Sequence, residues 1–348
     1  MLTNMDDLVR LPKSDPTELF RCRDGIYAAE LLAAAVTGLD FFSWLANSPA
    51  SAKTICSALG LAERPMDVML TLFSAMGLVE KSGDTFHLTE KAREFLAGDS
   101  LWCVGPYFSS FAEHAICRDL LEVLRGGKPA GWVGHKDKKP WTEAMEGDTF
   151  ARQFIETMDS RGVYLGRMLA PHLDLKDHCR LLDVAGGSGI YACSIIAAHP
   201  HMKGTVFEKP PVDRIARECI AERGCAERVE VATGDMFLDP FPENCDVHLW
   251  SNVLHDWGEA TIAGLLAKSF AALPPGGMII VHGAHINREK TGPLAVAAYS
   301  ALLMAYTEGK CYSVGEMEGM VGAAGFAGVD YRETAADRSV ITARKPGR

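Results

Sequence analysis

From residue 180 onward, short apolar runs alternate with longer segments of helical periodicity. Aliphatic and β-branched runs bounded by glycine, proline or an acid read as buried strands, and their alternation with helices predicts a parallel, doubly wound sheet. The runs lie at 181–184, 204–207, 229–232, 246–251 and 278–282, the last preceded by the turn Leu273-Pro274-Pro275-Gly276-Gly277. Two more, 328–332 and 339–343, are joined by a short turn around Asp337-Arg338, a terminal hairpin added to an otherwise parallel sheet. Ahead of this region the pattern is helical. Thr54-Ile55-Cys56-Ser57-Ala58-Leu59 ends at Gly60, a second helix opens at Arg64-Pro65 and runs to Met76-Gly77, and two alternating runs flank Ser82-Gly83-Asp84 as a hairpin. That is a helix-turn-helix with a wing. Residues 149–170 form one further helix with Phe154, Met158, Arg161 and Tyr164 near one side, a side that either packs into a core or forms a wall facing a substrate. The expected architecture is α/β: a doubly wound, mostly parallel seven-stranded sheet over 171–348, connecting helices over 106–170, and a helical winged-helix domain over 1–105.

The strand ends carry the chemistry. Asp183 ends the first strand and runs into Val184-Ala185-Gly186-Gly187-Ser188-Gly189, a glycine turn where backbone can approach a ligand closely. Glu208 ends the second strand, about twenty residues on, at the offset of a ribose-binding acid. The third strand ends in Gly234-Asp235-Met236-Phe237. Three acids at successive strand ends point to a nucleoside pocket. The glycines lack the G-x-G-x-x-G spacing of dinucleotide sites, and no Lys-Ser/Thr follows as a phosphate loop needs. An acid at the first turn repels a pyrophosphate but suits an amino group and a sulfonium. S-adenosylmethionine (SAM) has both, and its ribose diol suits Glu208.

The fourth strand leads into Ser251-Asn252-Val253-Leu254-His255-Asp256-Trp257. Ligands of open α/β sheets bind beyond the carboxyl ends of strands, so His255 sits where a reacting group belongs. It either caps the strand end or, as a neutral imidazole, removes the proton of a hydroxyl attacking a sulfonium methyl, help typically worth ~10²–10⁴ in rate. Trp257 offers an aromatic face to adenine or to a positive charge.

Composition removes several alternatives. A net charge of −10 argues against general nucleic-acid binding. The helix that would enter a DNA groove, residues 65–76, has no Lys or Arg, carries Asp67, and presents Val68, Leu70, Leu72 and Phe73 for burial. Asp6-Asp7 stand where a signal peptide needs a basic region, and the apolar stretch 27–46, broken by Glu30 and Asp40, reads as a buried helix and not a membrane span. Lys136, Lys138 and Lys139 read as a solvated loop face. Ten cysteines without a C-x-x-C pair fit free thiols in a reducing cytoplasm.

In these motifs, together with Leu254-His255-Asp256-Trp257 and Pro275-Gly276-Gly277, the chain resembles the SAM-dependent O-methyltransferases of small-molecule metabolism, which include plant caffeate, animal acetylserotonin and actinomycete antibiotic methyltransferases. The resemblance covers nearly the whole chain. It implies a class I methyltransferase domain and a homodimer formed through the N-terminal domain. It implies that Gly186 and Gly187 line the cofactor, that Glu208 holds the ribose, and that Asp235, Met236 and Phe237 bracket adenine; Asp183, Ser251 and Trp257, from their own places at the strand ends, are the further cofactor-binding candidates. His255 becomes the expected base with Asp256 adjacent, and Phe154 and Met158 fall where the family contacts substrate. Two positions depart from the pattern: the glutamates that usually bracket the histidine are here Gly283 and Cys311, while His282 and His285 are additional. His255, Asp256 and His285 are therefore an alternative divalent-metal site, which would favour C-methylation of a 2-oxo acid, its carboxylate held by Arg161. A third alternative is a SAM-binding regulator that transfers nothing.

Overall fold

The computed structural model describes residues 5–130 and 141–347; Lys136, Lys138 and Lys139 lie outside the described residues. The chain divides into two compact units. A sheet unit comprises Met1–Glu18, Trp141–His285 and Val314–Arg348, and a helical unit comprises Leu19–Pro140 and Ile286–Ser313. Neither unit is contiguous in sequence. The helix Leu294–Tyr306, which alternation alone groups with the strands, belongs to the helical unit, where it is buried on most faces.

The sheet unit has strands β1 (Arg180–Val184), β2 (Lys203–Glu208), β3 (Val229–Thr233), β4 (Val247–Ser251), β5 (Met278–Gly283), β6 (Ala327–Glu333) and β7 (Ser339–Arg344). Their order is β3-β2-β1-β4-β5-β7-β6, with β7 antiparallel to both neighbours and β1 to β5 mutually parallel. Every residue of β4 and β5 is buried, as expected for parallel strands covered on both faces. The edge strand β6 is largely exposed and alternates polar residues, which blunts it against pairing with another chain. Helices α1 (Asp148–Leu169), α2 (Ile190–Ala198), α3 (Val212–Glu222), α4 (Glu259–Ala272) and α5 (Val314–Ala323) accompany the sheet.

Helix α1 approaches α2 closely because Gly162 and Gly166 face it. A Cβ at Gly162 would stand 2.5 Å from Ile190 Cγ2, and one at Gly166 would stand 2.8 Å from Ser194 Oγ. Ile190 opens α2 directly after the glycine turn, and its β-branched side chain has little freedom to move aside. Gly162→Val is therefore expected to lower stability by about 1–3 kcal/mol through overpacking. A fall in the urea midpoint at unchanged slope, with weaker SAM binding, checks it.

In the helical unit, Ala52–Leu59 is capped by the Ser51 hydroxyl and closed by left-handed Gly60 (φ 64°). The next helix, Glu63–Ala75, starts two residues ahead of Pro65, and the hairpin Val79–Ser82/Thr85–Leu88 is joined by a third strand, Ala50–Ser51. Val68, Leu70, Leu72 and Phe73 are buried. The Arg64 guanidinium donates to the carbonyls of Met304, Gly309 and Gly127, and Asp67 receives the ammonium groups of Lys290 and Lys310. The stretch 27–46 forms two helices in place of the one expected. Ala28–Thr37 and Phe41–Asn47 are separated by Asp40, whose left-handed φ of 47° no continuous helix can absorb.

Candidate active site

Strand order reverses between β1 and β4, and open α/β sheets bind ligands beyond the carboxyl ends of strands at such a point. The backbone is strained there. Ala185, directly after β1, and Asn252, directly after β4, both adopt left-handed φ angles, 52° and 54°, without being glycine. Strain of this kind costs on the order of 1–3 kcal/mol and clusters at ligand sites.

On the β1 side, the Asp183 carboxylate is fully buried. Its Oδ2 accepts from the Ala192 backbone N–H at 3.3 Å, tying the strand end to α2, while Oδ1 has no protein partner. Gly186 presses against this carboxylate so closely that a Cβ would lie 2.5 Å from Asp183 Cγ, so only glycine fits. Glu208 closes the turn from β2: its Oε1 accepts from Gly187 N–H at 2.9 Å and its Oε2 from Lys209 N–H at 3.2 Å, leaving each oxygen a further lone pair. Burial pushes both carboxyls up to about 7, against the opposing pull of these backbone hydrogen bonds. The far side of the turn is clamped by Arg223, which donates to Ser188 O at 2.9 Å and pairs with Asp159 of α1; Asp159 in turn receives the Ser188 hydroxyl. Ile155 of α1 lies over Gly187, 3.3 Å from where a Cβ would be.

At the end of β3, Asp235 Oδ1 accepts from Phe237 N–H at 2.7 Å, and Lys268 of α4 donates to Met236 O at 2.7 Å. Phe237 stands edge-on to Trp257, ring centroids 4.8 Å apart. The four residues expected at adenine, Asp235, Met236, Phe237 and Trp257, are therefore brought together.

On the β4 side, His255 lies in a short turn, Leu254–Asp256, and is 8% exposed. Its Nε2 is 3.7 Å from Asp256 Oδ1. Burial drives its pKa well below the ordinary histidine value, reinforced by the nearby charges of Arg161 and Arg338 and by His285 and His282, so the imidazole is neutral. Asp256 is itself pushed up to about 7 by burial, partly countered by Arg161. Position 283 faces the other ring nitrogen: a Cβ on Gly283 would sit 3.8 Å from His255 Nδ1.

The additional histidines have other partners. His282 Nδ1 is 2.9 Å from Ser251 Oγ, its register neighbour, and His285 Nδ1 is 2.8 Å from Ser339 Oγ. Among the described residues, no group of three or more His, Cys, Asp or Glu side chains is disposed to hold a metal ion. His255, Asp256 and His285 thus do not assemble as a ligand set, because His285 turns toward β7. Ser251, expected at the cofactor, has its hydroxyl engaged by His282 and by Asn252. Phe154 packs with Phe150 on the cluster of Met145, Ala151, Ile155, Val212 and Ile215, while Met158 and Arg161, further along α1, are part-buried. Arg161 is the member of that helix face whose charge reaches His255, Asp256 and Tyr191.

Three residues of the site escaped sequence reasoning. Tyr191 accepts a hydrogen bond from Asn252 Nδ2 at 3.0 Å, and the opposite amide atom, Asn252 Oδ1, is buried without a protein partner, as is His282 Nε2. Arg338, 5% exposed, stands at the start of β7, whose Ser339 pairs with Gly283. Asn252 had a faint sequence signal in its place after a strand; Arg338 had none.

The sheet order and the acids along its carboxyl edge define a class I methyltransferase. Residues 118–327 match the model of the O-methyltransferase domain family, and the chain belongs to that family. It is similar to the 3-hydroxy-5-methyl-1-naphthoate 3-O-methyltransferase of Streptomyces sahachiroi, 31% identical with 86% of each chain covered. It is also similar to the L-tyrosine C(3)-methyltransferase of Streptomyces lavendulae, 30% identical over 87% of this chain and 84% of the relative. Among solved structures, an O-methyltransferase family 2 protein from Planctomyces limnophilus in complex with apigenin superposes with a TM-score of 0.87 at 35% identity, covering 97% of this chain and 98% of that one. The protein is a SAM-dependent methyltransferase acting on small molecules. The residues present fit the cofactor: an orphaned carboxylate oxygen on Asp183, open lone pairs on Glu208 and a turn closed to side chains suit a cationic ligand with a ribose diol.

Proposed function

We propose that the chain methylates a hydroxyl of a small aromatic acceptor, with His255 taking the hydroxyl proton. The observation that carries this reading is the neutral, buried imidazole placed after β4, across the strand-order reversal from the Asp183 and Glu208 carboxylates. When bound, SAM supplies a methyl group on a positively charged sulfur. Gly186, Gly187, Asp183 and Glu208 hold its amino acid and ribose ends, Asp235, Met236, Phe237 and Trp257 flank adenine, and Ser251 braces the end of β4. Met158 and Arg161 face the acceptor, with Phe154 supporting them from the hydrophobic cluster. The naphthoate and apigenin of the relatives support an aromatic acceptor.

The test is incubation with methyl-labelled SAM and a panel of phenols, with and without a chelator. Chelator-insensitive formation of an O-methyl ether is expected. The tyrosine C-methyltransferase relative makes transfer to a ring carbon the competing outcome, and product connectivity by NMR separates the two. Transfer lost on chelation and restored by a divalent ion would return the metal-assisted mechanism. Tight SAM binding with no transfer to any acceptor would return the regulator.

The helical unit is proposed as the dimer contact. It exposes Leu101 (91%), Trp102 (62%) and Tyr107 (84%) along one segment, more apolar surface than isolated residues account for. Burial of the second winged-module helix speaks for packing and against DNA contact. Among the described residues no single helix is long and apolar enough to cross a membrane. The ten free cysteines are what a reducing cytoplasm would maintain, and a cytoplasmic location is proposed on that ground.

A further inference from the structure

The glycine turn after β1 is held down at one residue. Ser188 stands between Gly187 and Gly189, whose left-handed φ angles of 60° and 73° a glycine backbone adopts and leaves with equal ease. It alone of Gly186-Gly187-Ser188-Gly189 has a side chain, and it is 4% exposed. Its hydroxyl donates to Asp159 Oδ1, and its carbonyl accepts from Arg223 Nη1 at 2.9 Å. Arg223 Nη2 donates to the same Asp159 oxygen, which closes a triangle between α1, the turn and the residue following α3. The Arg223 side chain is 7% exposed and that of Asp159 21%, so salt and solvent screen the pair little. Asp159 belongs to a stripe of α1 given over to the turn and to α2. Ile155 lies over Gly187, and Gly162 and Gly166 lie against Ile190 and Ser194; their spacing with Asp159 keeps all four on one face. Phe154, Met158 and Arg161 repeat that spacing one residue earlier, about 100° round the helix. One face of α1 is thus fixed to the turn assigned to SAM, and the face beside it is the one assigned to the acceptor. Two other ion pairs join α1 to α3, Arg152–Glu218 at 2.8 Å and Asp148–Arg214 at 2.7 Å, but their side chains are exposed and neither includes a residue of the turn.

We propose that Asp159 and Arg223 are positioning residues that make cofactor and acceptor binding cooperative: the triangle transmits the order of an occupied turn to the helix bearing Met158 and Arg161. The inference rests on the reading that this turn holds SAM and this helix faces the acceptor, and it is indifferent to which acceptor atom is methylated. By linkage the effect is reciprocal, each ligand tightening the other by the same factor.

Calorimetry of the full chain measures that factor with S-adenosylhomocysteine, which has no methyl to transfer, and the phenol that the labelled-SAM panel shows to be turned over fastest. The phenol is expected to bind about fivefold or more tightly to the loaded protein than to the empty one. Ser188→Ala removes one hydrogen bond without stranding a charge, and should bring the factor close to one. Arg223→Lys should do the same, because an ammonium keeps the charge beside Asp159 but lacks the planar fork that reaches Asp159 and the Ser188 carbonyl together. It is chosen over Arg223→Ala, which would leave a buried carboxylate unpaired and endanger the fold. Arg152→Gln, which breaks an exposed pair between the same two helices, should leave the factor unchanged. In Ser188→Ala, kcat at saturating ligands should fall about tenfold or more as the reacting groups lose alignment, while the phenol's affinity for the cofactor-free protein stays that of the unaltered chain. Hydrogen exchange supplies a readout without an acceptor: S-adenosylhomocysteine should slow exchange along residues 148–169 in the unaltered chain, and only at the turn in Ser188→Ala. A factor of one in the unaltered chain, a factor that survives both Ser188→Ala and Arg223→Lys, or an equal loss in Arg152→Gln would overturn the proposal. Failure of S-adenosylhomocysteine to bind, or transfer to no member of the panel, would instead sink the reading of the site beneath it.

Discussion

Turnover of a weakly acidic phenol by His255→Ala is expected to fall ~10²–10⁴-fold, the usual worth of general-base help, with SAM affinity changed by less than about threefold. The reason is geometric. The imidazole follows β4, whereas the carboxylates assigned to the cofactor close β1 and β2 and hydrogen-bond to the glycine turn, with no contact to His255 among their hydrogen bonds. The sign of the pH dependence follows from the depressed pKa. The neutral, active imidazole is fully present above its folded pKa, so activity limited by His255 alone should persist well below pH 6.5, the ordinary value. Stability runs the same way. A histidine buried neutral contributes stability above its unfolded pKa that is lost as pH falls toward the folded one, and His285 (about 4) and His248 (about 3) add to His255 and His282 in that window. Single-turnover rates for the variant and titration calorimetry with SAM separate the two roles. Equal losses in both would mean that His255 shapes the cofactor site and is not the base.

Glu208→Ala is expected to weaken SAM binding at least tenfold, since hydrogen bonds to a charged group contribute about 1.5–3 kcal/mol and tenfold corresponds to about 1.4 kcal/mol. Glu208→Gln should recover part of the loss, because an amide can still accept from Gly187 N–H but carries no charge. Asp183→Ala should weaken binding similarly, in its case by loosening the turn, since its carboxylate holds Ala192 N–H and packs on Gly186. Both carboxyls are raised to about 7 in the cofactor-free chain, so a ligand that needs them ionised must expel protons below that pH. Affinity should therefore rise with pH through about 7 and level off near 8, where an α-amino group loses its own proton. Calorimetry in two buffers of different ionisation enthalpy reads the released protons directly; a shallower pH dependence in Glu208→Ala, with Asp183 still titrating, would confirm the origin of the effect, and pH-independent affinity in the unaltered chain would refute it.

Much of the sheet unit is legible in the chain itself, because its signals are local. Seven apolar runs became seven strands within one or two residues of their expected bounds, and the glycine turn at 186–189 follows from positions where a side chain would strike Asp183 or demand a left-handed backbone. The acids at 183, 208 and 235 lie at strand ends, which periodicity alone locates. Parallel strands then put those ends on one edge, so the acids proposed to hold the cofactor lie together without any knowledge of packing.

The acceptor side is different in kind. Nothing in the order of residues says that the last strand inserts between β5 and β6, yet that pairing sets Ser339 against Gly283 and carries Arg338 to the histidines. Nor does it say that Leu294–Tyr306 leaves the sheet unit, that Phe154 turns to a hydrophobic cluster, or that His285 bonds to Ser339 when Asp256 was the expected companion. Strand and turn formation answer to each residue's own torsional and hydrophobic preferences, which the sequence spells out. Which side chains meet around His255 is settled by non-local pairing and burial, where the energy belongs to the packed whole and to no segment of it.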